Sequence, residues 1–322
     1  MRVVAAEHPR LYGLLDLARA HEPDTLSALL SLTNEFDSDD TGRGDSYRRA
    51  QQDSFVRWTG AHRLLTLATP ADAIGDVVVL DVLGGDGTIA RAVAGRADSS
   101  TAKLDIVTGD ISAQMVARAL AHGLPAVRQA AEALLLRDGS VDAALLAYGT
   151  HHIGPADRPR AAAEAIRVVR PGGRVVVHDF DESSPMARFF TDVVHTHSAT
   201  GHDYAHFTRS EFESHFRGLP VSLEVLDVYD PLIVFGATAE EARDRMCEYI
   251  ADMYGIRSYF SAQRNSAAVW DLLTEFFDHS AYLAGLAVAP ECRTRPVVSE
   301  VDGGFAAEVP RLAIAAVAEK AV

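Results

Sequence analysis

The chain has 322 residues, 48% of them hydrophobic, and a formal net charge of −15 from 45 acidic and 30 basic side chains. Its lysines, Lys103 and Lys320, lie far apart, and no basic cluster stands ready to neutralise phosphates, which argues against a nucleic-acid partner. No apolar run reaches the ~18 residues of a membrane-spanning helix, and Cys247 and Cys292 give neither a disulfide framework nor a CxxC motif.

The opening residues, MRVVAAEHPR, carry charge early and do not read as a secretory signal. A cytoplasmic location is expected. From Pro9 to about Ala68 the apolar spacing is helical, with LYGLLDLARA and LSALLSL before a polar loop, SDDTGRGDS. A second helix is predicted through YRRAQQDSFVRWTGAHRLLTLA. Residues 1–74 therefore read as an N-terminal helical cap. From Gly75 short β-branched runs alternate with helices: strands at Val77–Leu83, Lys103–Gly109, the PAVRQ segment, Val141–Gly149 and Gly173–Phe180. Apolar strands at this spacing predict a doubly wound parallel α/β sheet with helices on both faces. Next come a helix over SPMARFFTDVVHTH, a helix opened by the Thr208/Glu211 capping box, and a strand at VSLEVLDV. The stretch from about 229 to 310 is too long for a loop and reads as a helical insertion, with two or more helices between Ala239 and Ala287. Arg311–Lys320 is predicted to be a last strand, inserted antiparallel. Residues 75–322 thus form the second unit.

The strongest chemical signal is VVVLDVLGGDGTIARAV. A strand ends near Asp81, Gly84, Gly85 and Gly87 make a tight turn, and a helix begins near Thr88. Glycines let backbone approach a ligand closely, and a helix start offers free N–H groups. The second strand ends on Asp110, where an acid can accept bonds from both hydroxyls of a ribose; it could equally cap the next helix. Two such features at successive strand ends point to a nucleoside ligand.

Four segments together resemble class I S-adenosylmethionine-dependent methyltransferases. DVLGGDGT is similar to the family's DxGxGxG motif, and IVTGDIS to its acidic second motif. AAEALLLRDGSVDAALLAYGTHHI is similar to GDAENLPFPDNSFDLVxxxxxLHHI, and AIRVVRPGGRVVVHDF to RVLKPGGxhhhhD. The resemblance implies a seven-stranded Rossmann-like sheet and S-adenosylmethionine as cofactor. Under it, Asp81 faces the methionine amino group, and Gly84, Gly85 and Gly87 let the cofactor lie on backbone. Asp110 binds the ribose, Ile111 packs on the adenine, Ala131 and Glu132 lie beside the adenine edge, and Tyr148 and Gly149 border the methionine end. Two positions depart from the pattern: Leu83 replaces the first motif glycine and Ala130 the acid that often meets the adenine amino group. A cofactor-binding protein with a non-methylating role stays open beside the enzyme reading.

Methyl transfer to a small-molecule acceptor needs alignment and a place for a proton. His151 and His152 close the fourth strand, and His151 is the preferred base. Between His178 and His215 lie six histidines with Asp179, Asp181 and Asp203 among them, a polar loop or a substrate site. Tyr47, Arg48 and Arg49 start a cap helix, and either arginine could pair with an acidic substrate; a solvated face is the alternative. Trp58, Tyr254, Tyr259 and Phe260 read as core. The layout, with GHDY after the fifth strand and FFDHS in the insertion, is loosely similar to the C-methyltransferases of α-keto acids in antibiotic biosynthesis. That similarity implies a divalent or ferric metal ion on His202, Asp203 and His279, with a chelating 2-oxo acid as acceptor. A metal-free O- or N-methyltransferase is the competing account. The cap and insertion are expected to shape the acceptor pocket and a homodimer contact.

Overall fold

A computed structural model of the chain describes residues 6–31, 35–37, 44–70, 75–95, 103–286 and 292–322. Ten strands are described: β1 (Val77–Asp81), β2 (Leu104–Asp110), β3 (Ala126–Arg128), β4 (Val141–Leu146), β5 (Val169–Asp179), β6 (Val221–Tyr229), β7 (Leu232–Gly236), β8 (Val297–Val301), β9 (Gly304–Val309) and β10 (Leu312–Lys320). Seven form one sheet in the order β3-β2-β1-β4-β5-β10-β6. β1 to β5 pair in parallel, and β10 runs antiparallel to both neighbours. Every residue of β1 is buried, as an unbroken β-branched run requires when helices cover both faces.

The helices used below are α1 (Pro9–Leu14), α2 (Gly44–Ala50), α3 (Trp58–Ala68), α4 (Thr88–Ala94), α5 (Ala113–Ala121), α6 (Arg158–Val168), α7 (Pro185–Phe189), α8 (Arg209–His215), α9 (Ala239–Met253) and α10 (Ser266–Phe276). α3 turns Ala61, Leu64, Leu65 and Ala68 to the sheet, a three-and-four spacing that makes one buried stripe. α1, α6 and α8 cover the other face through Leu11, Ala161, Ile166 and Phe212. Thr208 Oγ1 accepts the Glu211 N–H at 3.1 Å and so caps α8. The Glu211 carboxylate does not close the box; it takes Arg158 at 2.7 Å.

Three expectations are corrected. The second cap helix, expected to run unbroken from Tyr47 to Ala68, is split: turns at Gln51–Arg57 separate α2 from α3. The RPGG step lies inside β5, not before it. Pairing with β4 slips there, from Val141↔Val169 to Ala143↔Arg174, and a Cβ on Gly173 would sit 2.4 Å from the Asp142 carbonyl oxygen. The stretch from about 229 to 310 is not purely helical. It carries α9 and α10 but also the antiparallel sheet β7-β9-β8. α9 packs on that sheet, and α7, α9, α10 and β7 share a core of Phe189, Met246, Ile250, Leu273, Phe277 and Leu232.

Candidate functional site

β1 ends on the buried Asp81, and the chain turns back over its C-terminal edge. Gly85 and Gly87 hold φ of 58° and 83°, a region that suits glycine. A side chain on Gly87 would strike Leu124, 2.2 Å away, so packing also fixes that position. Gly85 is different: a Cβ there meets nothing within 4 Å, because its α-carbon faces an open cleft. The Gly85 N–H donates to Asp110 Oδ2 at 2.9 Å, and the Ser112 N–H to Oδ1 at 2.8 Å. The Asp110 carboxylate is thereby aimed into the cleft with acceptor capacity left on each oxygen. Burial pushes its pKa up to about 6 against those N–H groups. Burial, with Asp110 nearby, pushes Asp81 to about 7, while Arg57 draws it down.

The cleft opens beside this turn. It is lined by Leu83, Gly85, Asp110, Ile111, Tyr148 and Gly149, together with His151, Asp179, Phe190 and His202. Leu83, Ile111 and His152 continue into a second cavity with Gln129, Ala131 and Glu132. Of the residues expected around the cofactor, Asp81, Gly84 and Gly87 line neither cavity, and Asp81 is buried beneath the turn, whereas Gly85, Asp110, Ile111, Tyr148, Gly149, Ala131 and Glu132 line these two adjoining cavities. Gln129 joins them; its Oε1 accepts the Leu135 N–H at 2.9 Å and its buried Nε2 has no partner.

Tyr148 is the one non-glycine residue with positive φ, 61°, among the described residues. That strain costs about 1–2 kcal/mol and is held by a buried network. Its hydroxyl donates to Asp230 Oδ1 at 3.1 Å, and Arg311 Nη2 grips Asp230 Oδ2 at 2.6 Å. Gly60 permits that approach: a Cβ there would fall 1.6 Å from Asp230 Oδ1.

His151 lies just past β4 and Asp179 ends β5, so parallel pairing brings them together. His151 Nδ1 is 2.9 and 3.0 Å from the two Asp179 oxygens, and the His151 N–H donates to Oδ2 at 2.7 Å. With Nδ1 turned to Asp179, Nε2 is the nitrogen left for the cleft. Burial opposes ionisation of Asp179, yet His151 and then His206 hold its carboxyl well below the ordinary range. A π turn at Phe190–Val194 brings Phe190 onto the His202 ring, stacked at 4.3 Å. Such turns recur where a helix must present a side chain at a site.

The three proposed metal ligands are not brought together. His202 lines the cleft, but Asp203 is exposed. His279 is buried elsewhere, its Nδ1 2.9 Å from the Phe277 carbonyl oxygen. Among the described residues the set that converges is His151, Asp179 and His206, whose ligand atoms lie within 4.8 Å of one another. Arg48 and Arg49 pair with Asp45, and Arg49 also with Asp252. The cap residues that line the cleft are Phe36, Tyr47 and Arg57, and Tyr254, read as core, lines it too.

Residues 80–177 match the family model described as "Methyltransferase domain". Over that segment, about a third of the chain, the sequence is similar to methyltransferase domains. It is 35% identical over 150 residues to a demethylmenaquinone methyltransferase of Beutenbergia cavernae, covering 45% of this chain and 58% of that protein. A ubiquinone/menaquinone biosynthesis C-methyltransferase of Brucella anthropi is 32% identical over 111 residues, covering 32% and 40%. The chain thus spans about half the length of the curated relatives it matches. Their names concern quinones, not the α-keto acids suggested by the loose similarity above. The fold is also that of Haemonchus contortus phosphoethanolamine N-methyltransferase 2, at a TM-score of 0.51 and 16% identity, covering 88% of this chain and 58% of that one. The matched methyltransferase segment ends at β5, so the cap, β6 to β10 and the small sheet fall outside it. No helix among the described residues is long and apolar enough to cross a membrane.

Proposed function

We propose that this chain transfers a methyl group from S-adenosylmethionine to a small-molecule acceptor bound beside His151 and Asp179. The observation that carries this reading is Asp110, aimed into the groove by the Gly85 and Ser112 N–H groups beside a glycine whose open side a ligand can occupy. When bound, the cofactor supplies an electrophilic methyl group on a positively charged sulfur. Asp110 accepts bonds from the ribose hydroxyls. Leu83 and Ile111 enclose the base, with Ala131 and Glu132 at its edge. Asp81 takes the ammonium of the methionine end. His151 Nε2 takes the acceptor's proton while Asp179 fixes the ring and stabilises its cationic form. Phe36, Phe180, Phe190, Met253 and Tyr254 give the acceptor end apolar and aromatic walls. An aromatic acceptor bearing an acidic hydroxyl fits those walls, the base, and the quinone names of the relatives.

Calorimetry tests the reading. Asp110→Ala should weaken S-adenosylmethionine binding by about 1–3 kcal/mol, the loss of charge-assisted hydrogen bonds. Undiminished affinity in a folded variant would take Asp110 out of the site. Transfer of a labelled methyl group to a panel of hydroxylated aromatic acids and quinols then tests the chemistry. The same titrations carry a pH signature. Asp81, near 7, must be ionised to hold an ammonium, so bound ligand favours its deprotonated form. Affinity should rise as pH passes through 6 to 7, and binding below that should release a proton to buffer. An affinity independent of pH across that window would contradict the Asp81 placement.

One observation favours a second reading, in which a metal ion takes part. Both ring nitrogens of His206 are buried without a hydrogen-bond partner, and Nδ1 lies 3.8 Å from Asp179 Oδ1. His151, Asp179 and His206 match the two-imidazole, one-carboxylate donor set suited to a divalent or ferric ion, which would supply Lewis acidity there. The dyad is the better supported, because Asp179 already engages His151 at hydrogen-bonding distance. Elemental analysis of protein purified without chelator decides between them. The dyad reading expects activity indifferent to chelator; a stoichiometric metal lost in His206→Ala would establish the second.

A further inference from the structure

One imidazole of the histidine-rich stretch takes no part in the chemistry proposed above. His178, one residue before Asp179 on β5, is fully buried and borders the cleft. Neither of its ring nitrogens has a hydrogen-bond partner among the described residues. Asp230 Oδ2 lies 3.9 Å from Nε2, beyond hydrogen-bonding distance. That carboxylate is already engaged: Oδ1 accepts from the Tyr148 hydroxyl and Oδ2 from Arg311. The Tyr148 and Phe180 rings lie 5.0 and 6.0 Å from the imidazole, centroid to centroid. Burial favours its neutral form, although Asp230 and Asp179 pull the other way. A neutral imidazole carries one N–H and one lone pair. Leaving both unpartnered in the interior is costly, so a partner is expected from a ligand in the cleft.

The backbone brings this ring to the part of the chain that carries the base. Thr150 Oγ1 donates to the His178 carbonyl oxygen at 3.0 Å, which ties the end of β5 to the turn bearing His151. Both histidines border the same cleft. His151 has Nδ1 committed to Asp179, so it offers one nitrogen, for the group that loses a proton. His178 has no such commitment, and Phe180 and Phe190 give the cleft aromatic walls beside it. His206 and His279, buried with unpartnered nitrogens as well, do not line the cleft. We infer that His178 is a specificity-determining residue that hydrogen-bonds a second oxygen of the acceptor. The acceptor is then an aromatic ring with two oxygen functions, one at His151 and one at His178. A hydroxyl or a carbonyl oxygen can serve at His178, since a neutral imidazole both donates and accepts. The inference rests on the methyl-transfer reading and adds to it what selects the acceptor.

Calorimetry of small phenols titrated into protein saturated with S-adenosylhomocysteine tests this. Phenol has one oxygen; catechol, resorcinol, hydroquinone and the three hydroxybenzaldehydes each add a second at a different place. The wild type should bind at least one of these two-oxygen compounds roughly tenfold or more tighter than phenol, because a site built to hydrogen-bond an oxygen discriminates against the analogue lacking it. The dihydroxy and aldehyde series separate a hydroxyl partner from a carbonyl one. His178→Phe keeps a ring and removes both nitrogens, so the preference should vanish. His178→Asn, which keeps a donor and an acceptor, should retain part of it and guards against a misfolded Phe variant. The melting temperature of His178→Phe should hold or rise, since an apolar ring replaces an unpartnered buried polar one. A clear drop would mean that the nitrogens serve the fold and would overturn the inference. So would a wild type without preference, or a preference that survives in His178→Phe. A wild-type protein that does not bind S-adenosylhomocysteine would sink the methyl-transfer reading, and the same phenols titrated without it would still show whether His178 meets a second oxygen.

Discussion

Replacing Gly85 by valine is expected to abolish S-adenosylmethionine binding in a chain that still folds. Two effects act at this position, and they can be separated. Gly85 holds φ of 58°, so any β-branched residue is strained there by about 1–2 kcal/mol. The added methyl groups would also project into open space, since nothing lies within 4 Å of the Cβ site. That space is the part of the cleft a ligand must occupy. Overpacking costs of about 3 kcal/mol correspond to roughly a hundredfold in affinity, and a rigid turn leaves little room for relief. Gly123 supplies the control. It holds φ of 74° with an equally open Cβ site but lies in the α5–β3 turn, outside the cleft. Gly123→Val should lower the melting temperature comparably and leave affinity unchanged. Binding retained in Gly85→Val would mean that the cofactor does not lie against this turn.

The strand–helix alternation from Gly75 to Phe180 was legible because each strand is a short apolar run closed by turn residues, a local property. The positions of Asp110 and the glycine turn were legible for the same reason: a strand end and a sharp backbone turn are local properties. The small sheet was not. β7, β8 and β9 have only five or six residues each; LIVFG is apolar, but VVSEV and GFAAEV are broken by polar or small residues. β7 finds its partner β9 some seventy positions later, and no local pattern encodes such a pairing. His151 was visible as a candidate base, but its partner was one histidine-rich list among many. One signal could have singled out Asp179: parallel neighbours β4 and β5 must place their C-terminal ends together. The metal set failed differently. Adjacent residues His202 and Asp203 face opposite ways, one buried and one exposed, and sequence neighbours need not share a site. Arg57 escaped because it sits in an irregular turn before α3, where helical periodicity gives no face.

Removing the His151 imidazole is expected to cut kcat by about a hundred- to ten-thousandfold, the usual worth of a positioned general base. Nδ1 faces both Asp179 oxygens, which sets the ring orientation and leaves Nε2 for the acceptor. Asp179 is buried and receives the His151 and Phe180 backbone N–H groups as well. Its depressed pKa has a defined sign: it stabilises the fold above the unfolded-state value of about 3.9, and that stabilisation is lost only as pH falls through the lower folded value. The dyad therefore keeps its carboxylate across the whole range in which the enzyme would work. His151→Ala should lose turnover while S-adenosylhomocysteine affinity holds, because the proposed cofactor site is built by Asp110 and the glycine turn and does not include His151. Added imidazole should restore part of the rate by entering the vacated space. His152→Ala serves as the comparison: this ring lies 4.3 Å from Tyr204 and borders both cavities, so its loss should act chiefly on KM. If His151→Ala keeps kcat within about threefold, the proton leaves by another route and His151 is only a wall of the pocket. If it loses turnover and cofactor affinity in parallel, the residue acts by holding the strand end in shape.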